Sequence, residues 1–204
     1  MSLIPVRLLV EGLLDEQILR RLLLRTGRYA IIDCLIKGGK AQLRTITPGF
    51  NSAAKGFPHV LLTDLDTDAC APSLIESWLP SGCHNNLVFR VAVHEVEAWL
   101  LADRHRMADF LQVSISRIPE LPDSLVDPKA ALIEAAKSSR SRRIREDIVP
   151  EGQSTSKVGI GYNAQITDFV LNRWNIDAAR EYSPSLARTC AAFQKFEPVF
   201  DSAP

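Results

Sequence analysis

Four apolar runs, at residues 3–10, 30–36, 57–66 and 85–93, lack the strict alternation of a half-exposed strand. Such runs are typical of strands that are covered on both faces. A stretch with helical spacing of apolar residues follows each run, at residues 14–26, 40–54, 72–79 and 94–103. We expect Pro48-Gly49 to break the second helix. The alternation predicts an α/β fold whose central, mostly parallel four-stranded sheet is joined by right-handed crossovers.

The second half of the chain has a different pattern. Asp127 and Pro128 form a helix start, and two further helices are predicted from Tyr162 and from Ser183. We therefore expect an α/β domain at residues 1–103 and a C-terminal helical annex at residues 104–204, which together form one compact unit.

Charge and composition exclude several classes of protein. The 204 residues carry 24 Lys plus Arg and 24 Asp plus Glu, so the chain cannot coat DNA by bulk charge. Its four cysteines lack the spacing of a zinc site. The N-terminus lacks a signal-peptide pattern, and no segment approaches the roughly 20 apolar residues of a membrane span. These features predict a cytoplasmic protein with no membrane partner.

Acidic residues follow three of the four predicted strands. Because parallel strands end at the same edge of a sheet, where ligands bind, these carboxylates are expected to lie near one another. Carboxylates that approach each other need a cation or a shared proton, and hard oxygen ligands suit Mg²⁺ or Mn²⁺. The acidic residues are Glu11, Asp64, Asp66, Asp68, Glu95 and Glu97.

The TDLDTD segment carries the densest group of these acids. In an extended chain Asp64 and Asp66 point to the same side, so both can face one ion. Taken alone, the segment fits turn acids equally well.

The combination of VEGLLDE after the first strand with LLTDLDTD on the third resembles the Toprim domain of topoisomerases, primases and overcoming-lysogenization-defect nucleases. The resemblance implies a Rossmann-like fold in which Glu11 is a metal ligand or an acid/base residue. It also implies that Asp64 and Asp66 coordinate the metal. Asp15 matches the extra acid of the nuclease branch, where a second metal is held.

Three further segments, VAVHEVEAWLLAD, GIGYN and SPSLAR, resemble a narrower family of bacterial Toprim-like proteins encoded beside phage-defence ATPases. The chain has no zinc ribbon, no GxxxxGK[ST] motif and no clear DNA-cleaving tyrosine context, which disfavours a topoisomerase or a primase. We therefore expect an Mg²⁺-dependent nuclease, with DNA favoured over RNA as its substrate. The resemblance also implies an ATPase partner and pairing of the subunit as a homodimer.

Several other residues are candidates for this chemistry, and each has a plainer alternative. Glu97 either faces the metal site or is an acid that caps its helix or is solvated on it. Two lysines around a glycine pair either approach phosphate or flank an ordinary turn, and a basic run either binds nucleic acid or is a solvated helix face. Lys157 is a candidate to neutralise a pentavalent phosphate. The residues of the glycine turn and basic run are Lys37, Lys40, Arg140, Arg142 and Arg143.

Two other classes of function stay open. One is a non-catalytic subunit with a degenerate metal site that docks on an ATPase and recognises nucleic acid. The other is a receiver-like signalling domain with Asp64 as its phosphoacceptor, although Glu11 and the helical annex have no role in it.

Overall fold

The computed structural model describes residues 2–152 and 155–200. The chain divides into two compact units. The first comprises Met1–Val93 together with Arg188–Pro204, and the second comprises His94–Ala187.

The first unit is built on a four-stranded sheet whose strands are all parallel and lie in the order β2 (Tyr29–Ile36), β1 (Ile4–Val10), β3 (His59–Asp64) and β4 (Leu87–Ala92). Three helices connect consecutive strands. This arrangement confirms the predicted α/β class with a Rossmann-like sheet. The helices that follow the sheet along the chain confirm the predicted C-terminal helices. The elements are β1 (Ile4–Val10), α1 (Leu13–Arg25), β2 (Tyr29–Ile36), α2 (Lys40–Ala53), β3 (His59–Asp64), α3 (Ala71–Trp78) and β4 (Leu87–Ala92).

Helices cover the sheet because each turns an apolar stripe towards it. Leu43 of α2 and Leu74 and Trp78 of α3 share one core cluster with Leu61 and Phe89 of the strands. Helix α1 buries its own stripe, and its crossover runs in the opposite direction along the sheet. Since such crossovers are right-handed, α1 lies on the face opposite α2 and α3.

The predicted break at Pro48-Gly49 is wrong, because α2 runs through both residues to Ala53. Proline lacks the N–H that would bond the carbonyl four residues earlier, here that of Arg44. Pro48 and Arg44 both lie on the exposed face of α2, where water can satisfy that carbonyl. Thr47 and Leu43, on the adjoining stripe of the helix, are fully buried and anchor it.

Residues near the C-terminus complete the first unit. The hydroxyl of Tyr29 on β2 donates a 2.6 Å hydrogen bond to the carbonyl of Phe193. The side-chain amide of Asn86, at the start of β4, donates to the carbonyl of Val199 and accepts from its N–H, both at 2.7 Å. These bonds attach residues 193–199 to the sheet.

The second unit is helical. The side chain of Asp127 accepts a 2.7 Å bond from the N–H of Ala130, which confirms the predicted helix start. Trp99 and Trp174 are buried, and the indole N–H of Trp174 donates to the Trp99 carbonyl. Its helices are α4 (Glu97–Leu101), α5 (Arg104–Leu111), α6 (Pro128–Lys137), α7 (Arg142–Ile148), α8 (Tyr162–Asn172), α9 (Ile176–Tyr182) and the beginning of α10 (Pro184–Lys195).

The division between the two units falls inside α10, after Ala187. Among the helices in the described ranges, none is both long and apolar enough to cross a membrane.

Candidate functional site

Glu11 and Asp64 lie at the carboxyl ends of β1 and β3, which are neighbouring strands in the sheet. The chain crosses from β1 to β2 on one side and reaches β3 on the other, so the crevice between β1 and β3 is the topological switch point. Open α/β sheets bind their ligands at this position. The sheet therefore places both predicted carboxylates where a ligand site is expected.

The carboxylate of Glu11 is fixed by the end of β3. Its Oε1 accepts a 2.5 Å hydrogen bond from the hydroxyl of Thr63 and a 3.2 Å bond from the backbone N–H of Asp64. Thr63 is buried, whereas Glu11 and Asp64 are half-buried. Sequence reasoning missed Thr63, although its position directly before Asp64 was a usable signal.

Asp15 has a local role at the start of α1. Its Oδ2 accepts a 2.8 Å bond from the N–H of Gly12, which satisfies a backbone donor just ahead of the helix. The same carboxylate lies in the first turn, where the helix dipole favours a negative charge. Its predicted role at a second metal stays a prediction.

The β2–α2 loop, KGGK, lies against the end of β1. The N–H of Lys37 donates to Val10, and that of Gly38 donates to the carbonyl of Glu11 at 2.8 Å. Gly38 and Gly39 have φ angles of 67° and 132°, which side-chain-bearing residues rarely adopt. The glycine pair thus brings Lys40, the first residue of α2, towards the strand ends.

Lys40 is bonded to the acids of the β3–α3 segment. Its Nζ donates to the Leu65 carbonyl at 3.0 Å, to Asp66 Oδ2 at 2.9 Å and to Asp68 Oδ2 at 2.8 Å. Burial opposes the charged form, but the hydrogen bonds to Asp68 and Asp66 outweigh it and raise the pKa of Lys40 above its ordinary value. All three ammonium donors thus have partners within the protein.

The premise that Asp64 and Asp66 both lie in an extended chain is wrong, because the chain turns at Asp66; that the two carboxylates face one ion stays a prediction. Strand β3 ends at Asp64, and Asp66 has a left-handed φ of 51° within a turn closed by the bond from Asp68 N–H to the Leu65 carbonyl. The turn directs Asp66 Oδ2 to Lys40.

The donor set at this edge consists of oxygens, which suit Mg²⁺ or Mn²⁺ by their chemistry. Within residues 2–152 and 155–200, no three His, Cys, Asp or Glu side chains are grouped so that they could hold a metal ion. Mg²⁺, however, is commonly held by one or two carboxylates together with waters and substrate phosphates. Glu11 and Asp64 fit that smaller set.

A second polar cluster lies wholly in the helical unit, and we call it the Glu97 cluster: Glu95, Glu97, Lys129 and Tyr162. Glu97 is 1% exposed, and its Oε1 accepts a 2.9 Å bond from the Tyr162 hydroxyl and lies 3.4 Å from Lys129 Nζ. Glu95 accepts bonds from both the backbone N–H and the ammonium of Lys129.

Burial raises the pKa of the Glu97 carboxyl, with Lys129 opposing that shift. Burial and the charge of Glu97 raise the pKa of Tyr162 well above its ordinary value. Glu97 Oε2 is buried and has no hydrogen-bond partner among the described residues. The cluster thus holds a carboxyl group whose charge is disfavoured, and sequence reasoning gave neither Lys129 nor Tyr162 a role in it.

The two glycines of GIGYN allow the chain to pass close to Asp147 at the end of α7. The N–H groups of Gly159 and Gly161 donate to the carbonyls of Ile148 and Asp147, both at 3.0 Å. A Cβ on Gly161 would lie 2.6 Å from the Cβ of Asp147, closer than such atoms can approach. The motif therefore sets where α8 begins, and with it the position of Tyr162.

The SPSLAR segment bonds to two other parts of the helical unit. Ser185 Oγ accepts a 2.7 Å bond from the indole N–H of Trp99. The carboxylate of Asp123 accepts bonds from the Ser183 hydroxyl and the Ser185 N–H. The three quoted motifs are thus joined within one unit, because Trp99 shares α4 with Glu97.

The predicted basic residues of the second unit are exposed, but they differ in their surroundings. Arg142 is bonded to Glu146 at 2.7 Å, and Arg143 lies 3.5 Å from Asp147 and lines a cavity. Arg140 and Lys157 are exposed. Their roles in binding nucleic acid or phosphate stay predictions.

Comparison of the chain with protein-family models, with curated proteins and with solved structures found no match. The residue roles implied by the Toprim resemblance therefore remain expectations, and the site must be argued from its own geometry.

Proposed function

We propose that this protein hydrolyses phosphodiester bonds of nucleic acid in the cytoplasm in a reaction that depends on Mg²⁺ or Mn²⁺. The observation that carries the proposal is the placement of Glu11 and Asp64 at adjacent ends of parallel strands, at the switch point of the sheet. Fold resemblance alone would not suffice, because one fold hosts many functions.

Glu11 and Asp64 are the residues that would hold the metal in this scheme. Bound there, the ion would polarise a phosphate oxygen and lower the pKa of a water molecule. Thr63 and the Asp64 N–H orient Glu11 by occupying one of its oxygens. The main chain of the KGGK loop closes one side of the edge through the bond from Gly38 to Glu11.

A specific observation favours a second candidate, a nucleic-acid-binding or regulatory subunit without catalysis that acts with an ATPase partner. Lys40 binds both Asp66 and Asp68, so two of the predicted ligands already have a cation within the chain. A site that needed those carboxylates for metal would be weakened by this arrangement.

Cleavage of plasmid and single-stranded DNA with Mg²⁺ or Mn²⁺ tests the first candidate. We expect wild-type protein to nick DNA and Asp64→Asn to lose that activity while keeping the fold. Glu76→Gln is the matched control, because Glu76 is an exposed acid of the same unit on α3. Full activity of Asp64→Asn would contradict the assignment.

Calorimetric titration with Mn²⁺ separates the two candidates. A catalytic site should give specific heat of binding that Glu11→Gln and Asp64→Asn both remove. A subunit without catalysis should give none, and adding a partner ATPase should then leave DNA uncut although DNA is bound.

A further inference from the structure

A cavity of about 380 Å³ lies within the helical unit. It is bordered by the end of α5, the start of α7, the exposed side of α8 and the residue that follows α8. Its volume lies in the range of sites that bind small ligands. The lining residues that matter for its chemistry are Phe110, Gln112, Arg143, Gln165, Asp168 and Arg173.

The charge of the lining favours an anionic ligand. Two arginines, Arg143 and Arg173, and one acid, Asp168, are among the residues that line the cavity. Asp168 Oδ2 is 3.9 Å from Arg173 Nε, and Asp147 Oδ2 is 3.5 Å from Arg143 Nε. Both distances are long for ion pairs and both arginine side chains are more than half exposed, so these pairs hold the arginines weakly. Guanidinium groups that are only weakly held by other residues can form strong, paired hydrogen bonds to a phosphate.

The remaining lining groups suit a nucleobase. The guanidinium carbon of Arg173 lies 5.8 Å from the centre of the Phe110 ring, and planar arginine groups of this kind stack on bases. Gln112 and Gln165 supply side-chain amides, which carry a donor and an acceptor as the edge of a base does. The amide nitrogen of Gln165 already donates to Asp147 at 2.6 Å, which fixes that side chain.

We propose that this cavity binds one nucleoside monophosphate unit, either free or as part of a strand. Its phosphate would lie on Arg143 and Arg173, and its base against Arg173 and the two amides. The inference rests on the proposed function only in taking nucleic acid as the substrate, and it adds a second contact remote in sequence from Glu11 and Asp64.

Binding of a fluorescein-labelled single strand of thymidines, measured by anisotropy in EDTA, tests the proposal without any cleavage. We expect Arg143→Gln and Arg173→Gln each to weaken binding about tenfold and to lower the salt slope by about one. Arg180→Gln is the matched control, because Arg180 is an exposed arginine of the same unit that is paired with Asp177 and does not line the cavity. It should bind as the wild type does.

Competition separates the two sources of the ligand. Displacement of the strand by thymidine monophosphate, but not by equal inorganic phosphate, would show that a free nucleotide suffices. Failure of both competitors, with binding still dependent on Arg143, would show that a strand is required. Equal displacement by inorganic phosphate would overturn the nucleotide proposal.

Two further results would overturn it: unchanged binding by both variants, or an equal loss in Arg180→Gln, which would indicate an effect of general charge. Arg143→Gln keeps the test decisive if Arg173→Gln unfolds, since the side chain of Arg143 is mostly exposed. Metal-dependent cleavage, together with strand binding that Arg143→Gln and Arg173→Gln leave unchanged, would refute only the proposal that the cavity binds a nucleotide. Arginine-dependent binding without any metal-dependent cleavage would refute the nuclease alone.

Discussion

The hydroxyl of Tyr162 donates a 2.9 Å hydrogen bond to a carboxylate oxygen of Glu97, 65 positions earlier in the chain. Glu97 belongs to the HEVEAW segment and Tyr162 to GIGYN, so two motifs noted separately in the sequence meet in one buried contact. Lys129, from a part of the chain without any noted motif, lies 3.4 Å from the same oxygen.

Tyr162→Phe should destabilise the helical unit by about 1.5–3 kcal/mol, because the buried carboxylate of Glu97 loses a hydrogen bond. Hydrogen exchange of α4 and α8 measures this change locally. Tyr182→Phe is the control, since Tyr182 is 49% exposed, and it should have little effect. Equal protection in Tyr162→Phe and wild type would show that the bond contributes nothing.

Glu97→Gln should stabilise the helical unit at neutral pH. The folded-state pKa of Glu97 is raised, so its contribution is fully favourable below the ordinary value of 4.5 and is lost as the pH rises through the folded value. The gain from the neutral amide should therefore shrink towards pH 4. Urea unfolding of both proteins between pH 4 and 8 checks the trend, with Glu134→Gln, an exposed glutamate of α6, as control. A gain that grows in acid would contradict this prediction.

Gly161→Ala should destabilise the helical unit by about 1–3 kcal/mol, because the new methyl group would meet the Asp147 side chain at 2.6–2.7 Å. Gly56→Ala, where no atom lies within 4 Å of the added Cβ, is the matched substitution and should be close to neutral. Thermal unfolding of the two variants gives the comparison. Similar melting temperatures would mean that the loop moves aside at little cost.

Lys40→Met should raise the affinity for Mn²⁺ roughly tenfold. The substitution removes the ammonium group that now bonds to the carboxylates of Asp66 and Asp68 and to the carbonyl of Leu65. Lys37→Met changes a partly exposed lysine of the same loop, and the affinity of this variant should stay near the wild-type value. Titration with Mn²⁺ provides the measurement. A lower affinity in Lys40→Met would indicate that Lys40 positions the carboxylates for the ion.

Local sequence patterns were sufficient to predict a parallel four-stranded sheet, because each strand is an apolar run followed by a helix, but they did not predict the strand order. They failed at Pro48, where exposure of one helix face decides the outcome, and at Asp66, where a left-handed residue ends the extended chain. Helix α9 was also missed, although Asn175 caps it by accepting from two backbone N–H groups.

Part of the candidate site was predictable because its residues follow predicted strands. Glu11 and Asp64 come from strand ends, and parallel topology alone brings such ends together. The bond between Glu95 and Lys129 spans 34 positions and depends on how α4 and α6 pack, which no local pattern encodes. The turn at Asp66 likewise gave no sign that Lys40, 26 positions earlier, would be its partner.

The first unit is interrupted in sequence, since the chain leaves it after Val93 and returns at Arg188. During synthesis on the ribosome, all four strands therefore emerge before the residues that satisfy Tyr29 and Asn86 have been made. The 94 residues of the other unit are translated before residues 193–199 are made. The bonds that join residues 193–199 to the start of β2 and to Asn86, just ahead of β4, can thus form only late in translation, and a chain stalled before Arg188 would leave these amino ends of the strands without them.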